Sequence, residues 1–253
     1  MSSMMYEWFP YPSRVVQSKS DLEGFGLWAA NAMGKPRDWF LGKTVLELGC
    51  GTGEVAAGLG LFGARVIAVD LSFSSIEKGL GLKKKYGLDS VSFVQGDLFL
   101  FDPKEKFDVV LSLGVLHHTK NPRKGFGVAV SHVKAGGFVC VGLYNAVGRL
   151  RLRWKRWLVG LLAGSDVKKR METAKKLFYG GRVPPKGEVY LADKFGQPYE
   201  SYHLVEEVLH WFSEERLVVT HSRPALENHL SWMQIKWFLE KRGAFFVLTG
   251  KKN

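Results

Sequence analysis

Residues able to do chemistry by type and spacing first gather at Val45. In VLELGCGTG, residues 45–53, an apolar run containing Glu47 leads into three glycines separated by Cys50 and Thr52. Gly49, Gly51 and Gly53 strip side chains from a turn, so a ligand can approach the backbone there. A helix beginning just after them offers unpaired amides to an anionic group. Asp70 stands nineteen residues after Gly51 at the end of the next apolar run, VIAVD, placed to accept hydrogen bonds from ribose hydroxyls. Asp97, in QGDLF, adds an acceptor on the same edge. Gly51, Gly53 and Ala56 also satisfy the dinucleotide pattern G-x-G-x-x-G/A, so a dinucleotide is an alternative ligand on these residues alone.

His117 and His118 follow a further apolar run, FDVVLSL. A neutral imidazole here can take a proton from a hydroxyl or an activated carbon acid, and a structural hydrogen-bonding role competes with that reading. Consecutive side chains of an extended segment face opposite ways, so one of the two is expected to enter the pocket. Cys50 and Cys140 are the only cysteines. Both read as buried, and two cannot build a disulfide framework or a structural zinc site, which points to a reducing cytoplasm and no metal. No apolar stretch reaches the roughly 18 residues of a membrane-spanning helix, and MSSMMYEWFPYPSRVV lacks the basic start and apolar core of a signal peptide.

Elements must hold these residues together. Before residue 43 the chain is aromatic and irregular, with a helix expected from Asp21 to Met33, capped by Asp21 and broken at Gly34 and Pro36. Then apolar runs alternate with helical stretches: Thr44 to Leu48 and Glu54 to Leu61; Arg65 to Val69 and Ser74 to Lys85; Val91 to Val94; Phe107 to Leu111 and Pro122 to Val133; Phe138 to Leu143. This alternation predicts an α/β fold with a parallel sheet covered on both faces. VLEL, VIAV and FVCVGL are continuous apolar runs, as strands buried on both faces should be. An amphipathic helix is expected within residues 201–216, and Leu217 to Thr220 and Phe245 to Leu248 as last strands around a helix from Trp232 to Lys241.

ELGCGTG, VDLS, QGDLF and FDVVLSLGVLHHT, in this order and spacing, resemble class I S-adenosylmethionine-dependent methyltransferases, especially the branch of quinone-biosynthesis and other small-molecule enzymes. The resemblance covers residues 43–144. It implies a Rossmann-like, seven-stranded, mostly parallel sheet with S-adenosyl-L-methionine as cofactor. It implies that Glu47, Gly49, Cys50, Gly51, Thr52 and Gly53 hold the methionine end, Asp70 with Leu71 the ribose, Asp97 and Leu98 the adenine, and Leu113 the cofactor through its main chain. SLGV, residues 112–115, stands where the N-P-P-Y type of motif serves amino-group methylation of bases, and neither cysteine is placed to attack pyrimidine C5. Tyr144, Asn145, Arg149, Glu200 and His203 are candidates to meet the acceptor. The acceptor is expected to be an anionic small molecule or a lipid-linked one; RNA methylation and a non-enzymatic module that keeps the cofactor fold are the alternatives.

The 253 residues have 46% hydrophobic and 24% charged composition, which excludes a disordered chain or a fibre. Only nine residues are Asn or Gln, a scarcity that fits a thermophile or simple compositional drift. The net charge is +12, and residues 149–186 hold twelve bases against Asp166 and Glu172, so +10 lies in that segment. Within it Leu150, Trp154, Trp157, Leu158 and Leu161 recur at helical spacing beside arginines. Three readings follow: a helix packed on the domain with solvated arginines, a cap for an anionic or lipid-linked substrate at a membrane surface, or an RNA-binding segment. The division is 1–42 as an N-terminal lid segment, 43–144 as cofactor core, 145–200 as basic helical cap and 201–253 as the part completing the sheet. Nothing in the sequence sets an oligomeric state.

Overall fold

The apolar runs form the sheet because they have no polar face to offer water. In the computed structural model, which describes residues 16–185, 187–196 and 199–253, they are β1 (Thr44–Leu48), β2 (Arg65–Asp70), β3 (Val91–Gln95), β4 (Phe107–Leu113) and β5 (Val133–Tyr144). Two later strands, β6 (Leu217–Arg223) and β7 (Phe245–Lys252), complete seven in the order β3-β2-β1-β4-β5-β7-β6. The first five pair in parallel, and β7 runs antiparallel to both β5 and β6. The strand order reverses between β1 and β4, so the crevice at their carboxyl ends is where a ligand of an open α/β sheet binds.

Alternate residues of the inner strands feed two cores. Val45, Val66, Val109 and Cys140 pack against α1 (Lys19–Ala32), α2 (Glu54–Leu61) and α3 (Phe73–Tyr86). Leu46, Val110, Val139 and Val141 pack on the opposite face with α4 (Pro122–Ser131), α8 (Val205–Glu214) and α9 (Leu230–Leu239). The helix expected from Asp21 starts earlier: Ser18 is its cap, accepting from the Asp21 amide, while the Asp21 carboxylate accepts from the Ser18 amide. A Cβ on Gly58 of α2 would lie 2.3 Å from the Leu22 carbonyl, so α1 and α2 touch backbone to backbone. Leu22, Ala29, Ala30 and Ala32 of this helix are buried in the core; of the expected lid segment, 1–42, residues 1–15 lie outside the described residues.

Between β5 and β6 the basic segment folds as α5 (Leu150–Ala163), α6 (Val167–Tyr179) and α7 (Gly187–Leu191), which runs into a wide helical turn, Ala192–Gly196. It has its own small core of Val159, Met171, Ala174, Leu191 and Phe195. The stripe of Leu150, Trp154, Trp157 and Leu161 does not pack on the domain but faces solvent. Leu152 and Val159, on the opposite side of α5, do the packing.

Candidate active site

Gly49 and Cys50 both donate their amides to the Val69 carbonyl, at 2.7 and 2.9 Å, which ties the glycine turn to the end of β2. Gly53 caps α2 with φ of 85°, and a Cβ there would lie 2.3 Å from the Phe93 ring, so no other residue fits. At Gly51, by contrast, a Cβ would meet nothing within 4 Å: the turn is open at its centre. A Cβ at Gly49 would fall 2.4 Å from Val115, so the turn also touches the loop that follows β4. Asp70 closes the arrangement, one carboxylate oxygen accepting from the Gly51 amide at 2.7 Å and the other from the Ser72 amide at 2.9 Å. Asp97 accepts from the Phe99 amide and organises the turn after β3, with Leu98 buried beside it and Leu71 half exposed. Leu113 stands at the end of β4, partly buried against the α1–α3 face.

The electrostatics of this turn are unusual for a protein interior. Glu47 is 4% exposed and its Oε2 has no hydrogen-bond partner among the described residues. Burial, then the neighbouring charges of Glu54 and Asp70, holds its carboxyl well above the ordinary value of 4.5. Burial likewise pushes up the Cys50 thiol, which makes it inert. Glu54 was not a sequence-level candidate; the acid directly after the last glycine of the loop was the available signal, and Thr52 donates to it at 2.6 Å. Three carboxylates thus surround an open, uncrowded turn, an arrangement that favours a cationic ligand group.

The two histidines sit together, contrary to the expectation that they face opposite ways. The segment is a tight helical turn, Leu116–His118, and not extended, so the rings lie 4.3 Å apart. His117 is fully buried against the Tyr144 ring at 3.7 Å, and neither of its ring nitrogens has a hydrogen-bond partner among the described residues. Burial, then the charges of His118 and Arg149, keeps it well below the ordinary imidazole value. His118 is half-buried, its pKa also lowered by burial. Its Nδ1 lies 3.3 Å from the Tyr199 carbonyl, which can only accept; Nδ1 therefore carries the proton and Nε2 the lone pair.

The chain returns to this point from the cap. Ser201 donates its amide to the His117 carbonyl at 2.8 Å, and His203 donates its amide to Tyr144 at 2.9 Å. That stitching carries the Glu200 and His203 side chains inward, where both are buried. The Glu200 side chain, 1% exposed, lies between Arg149 at 3.5 Å and Arg156 at 3.2 Å. The Arg149 guanidinium lies 3.0 Å from the centre of the Tyr144 ring. Asn145, another acceptor-site candidate, accepts at its side-chain oxygen from the Val147 and Gly148 amides and donates to Gln234 at 2.8 Å, which shapes the exit from β5. Arg156 and Tyr199 were missed from sequence because their roles depend on contacts 38 to 81 residues away.

A family model described as a methyltransferase domain matches residues 41–208. Ubiquinone biosynthesis O-methyltransferase of Rickettsia conorii is 25% identical over 163 residues, covering 64% of this chain and 49% of that protein. The chain spans about half the length of the curated relatives it matches. Among solved structures, magnesium protoporphyrin IX methyltransferase of Synechocystis, with bound S-adenosylhomocysteine, superimposes with a TM-score of 0.59 at 13% identity, covering 99% of this chain and 94% of that one. The N-methyltransferase NodS of Bradyrhizobium japonicum, in complex with S-adenosylhomocysteine, gives 0.58 at 13% identity, covering 99% and 98%. These two share the fold.

Proposed function

We propose that the chain, which belongs to the methyltransferase domain family, is an S-adenosylmethionine-dependent methyltransferase acting on the hydroxyl of a small-molecule or lipid-linked acceptor. The observation that carries the reading is the ring of Glu47, Glu54 and Asp70 around the open turn at Gly51. S-Adenosylmethionine presents two cationic centres, an ammonium and a sulfonium, to match those carboxylates. The unpartnered, buried Oε2 of Glu47 and the empty space at Gly51 both fit such a ligand.

In this reading the turn from Gly49 to Gly53, with Glu47, Cys50 and Thr52, receives the methionine end. Asp70 and Leu71 face the ribose, Asp97 and Leu98 the adenine, and Leu113 contributes its main chain. The bound cofactor supplies an electrophilic methyl group, transferred by in-line displacement. The protein's own contribution is positioning and exclusion of water. Val115 packs on the glycine turn two residues before His117, so the cofactor turn and the histidine pair are held in fixed relation. Neutral His118 accepts the proton of the acceptor hydroxyl at Nε2, its Nδ1 being engaged by the Tyr199 carbonyl. Tyr144 and His117 form a wall of packed rings, and Arg149, steadied by Glu200, offers a charge to an anionic acceptor. Residues 43–144 thus serve the cofactor, 145–200 cover the acceptor, and 201–253 return the chain to the sheet. That the related ubiquinone biosynthesis enzymes are O-methyltransferases supports a hydroxyl acceptor.

Titration calorimetry with S-adenosylhomocysteine tests the cofactor site. Asp70→Ala is expected to weaken binding about tenfold or more, as loss of a charge-assisted hydrogen-bond acceptor does. Unchanged affinity, or displacement by NAD, would refute it. Labelled methyl donor incubated with fractionated cell extract should mark the small-molecule or lipid fraction; label in RNA alone would overturn the acceptor class.

A further inference from the structure

The outward stripe of α5 is an exposed apolar surface that the methyl-transfer reading leaves unused. Leu150, Trp154, Trp157 and Leu161 are 45%, 59%, 61% and 69% exposed, and Leu162 adds to them at 60%. They follow one another at steps of four, three and four residues and so form a single line along the helix. Arg151 and Arg153 flank that line on either side. On α9, Trp232, Ile235 and Leu239 repeat the pattern and are also exposed. The Arg151 guanidinium lies 5.0 Å from the Phe238 ring, which lays the start of α5 beside the end of α9. Each of the three tryptophans keeps about three-fifths of its surface exposed, and three such rings on neighbouring helices mark an interaction surface.

Charge selects the occupant. The segment from 149 to 186 carries +10, so a second copy of the chain would bring the same charge to the contact and be repelled. A nucleic acid would satisfy the bases but offers no apolar layer for Leu150, Leu161 and Leu162. Among the described residues no helix is long and apolar enough to cross a membrane. We infer that the α5 face docks in the plane of an anionic lipid bilayer, with the tryptophans and leucines at the acyl boundary and the arginines and lysines among the headgroups. An open groove of about 480 Å³ runs beside the stripe, lined by Arg153, Trp154, Arg156, Trp157, Glu200 and Tyr202. It leads from the docked face to the buried Glu200, whose charge acts on His118. The inference rests on α5 and α9 and stands independently of the methyl-transfer reading.

Co-sedimentation of the full chain with vesicles tests it. Vesicles of equal parts phosphatidylcholine and phosphatidylglycerol are expected to bind at least about tenfold more tightly than phosphatidylcholine alone, with a blue shift of tryptophan emission and weakening by salt. The double variant Trp154→Ser/Trp157→Ser, altered only at exposed positions, is expected to lose about tenfold or more of that binding while its melting temperature stays the same. Three results would overturn the inference. One is no preference for anionic vesicles at low salt. Another is a double variant that binds vesicles like the parent. The third is a parent chain whose two tryptophans are needed for binding polyuridylate, or for dimerisation in sedimentation velocity, and not for binding vesicles.

Discussion

Replacing Glu47 by glutamine should stabilise the ligand-free protein and weaken its hold on the cofactor. In the folded chain the carboxyl is buried, has an unpartnered oxygen and faces Glu54 and Asp70, so it resists ionisation. The unfolded chain ionises it freely above its ordinary value of 4.5. A group whose folded pKa is raised contributes stability that is complete below the unfolded pKa and is lost as pH rises towards the folded one. Each pH unit in that window costs about 1.36 kcal/mol, which sets a ceiling of about 3 kcal/mol at pH 7. Glutamine keeps the shape and carries no such penalty. The variant should therefore match the parent near pH 4 and exceed it at pH 7, by up to about 6–12 °C in melting temperature for a chain of this size. The same change removes a carboxylate from beside the ammonium that the cofactor shares with S-adenosylhomocysteine, a charge-assisted contact of about 1.5–3 kcal/mol, or roughly 10- to 150-fold in Kd. Thermal melts at the two pH values and calorimetry with S-adenosylhomocysteine read both effects. A Glu47→Gln protein less stable than the parent at pH 7, or a difference independent of pH, would refute the electrostatic account of this turn.

Two further outcomes are expected. If neutral His118 is the base, kcat falls on the acid side as the ring protonates. Burial lowers its pKa, so that limb lies below pH 6.5, and His118→Ala should cost about 10²–10⁴ in kcat and abolish the limb in a pH–rate profile. Glu200→Ala leaves Arg149 and Arg156 buried without their carboxylate, at a cost of about 3–5 kcal/mol. Hydrogen exchange should show lost protection within residues 149–203 while β1 and β2 keep theirs; unchanged exchange in the cap would count against the buried ion cluster.

The order of elements was legible from sequence because strands buried on both faces read as near-continuous apolar runs, as VIAV does and as VLEL does apart from Glu47. The glycine turn was legible too, because only residues without a side chain tolerate the approach of Phe93 and Val115. Periodicity also found the apolar line of α5. It did not decide which side of α5 would be buried. That outcome belongs to Leu152 and Val159, which meet α6 and the 192–196 turn and leave the tryptophans outside.

What the sequence determined by itself is local: strand and helix identity, the strand-end carboxylates, and the concentration of charge between residues 149 and 186. What tertiary structure decided is which distant groups share one place. A short helical turn, not visible in an apolar run followed by two histidines, puts both rings in one cluster. The return of residues 200–203 against Tyr144 and His117 buries Glu200 between two arginines. The burial of Glu47 and the closeness of Glu54 and Asp70 likewise depend on β1, α2 and β2 converging, and its raised pKa is a property of that convergence. Propensity and pattern act over a few residues, whereas desolvation and charge act through space.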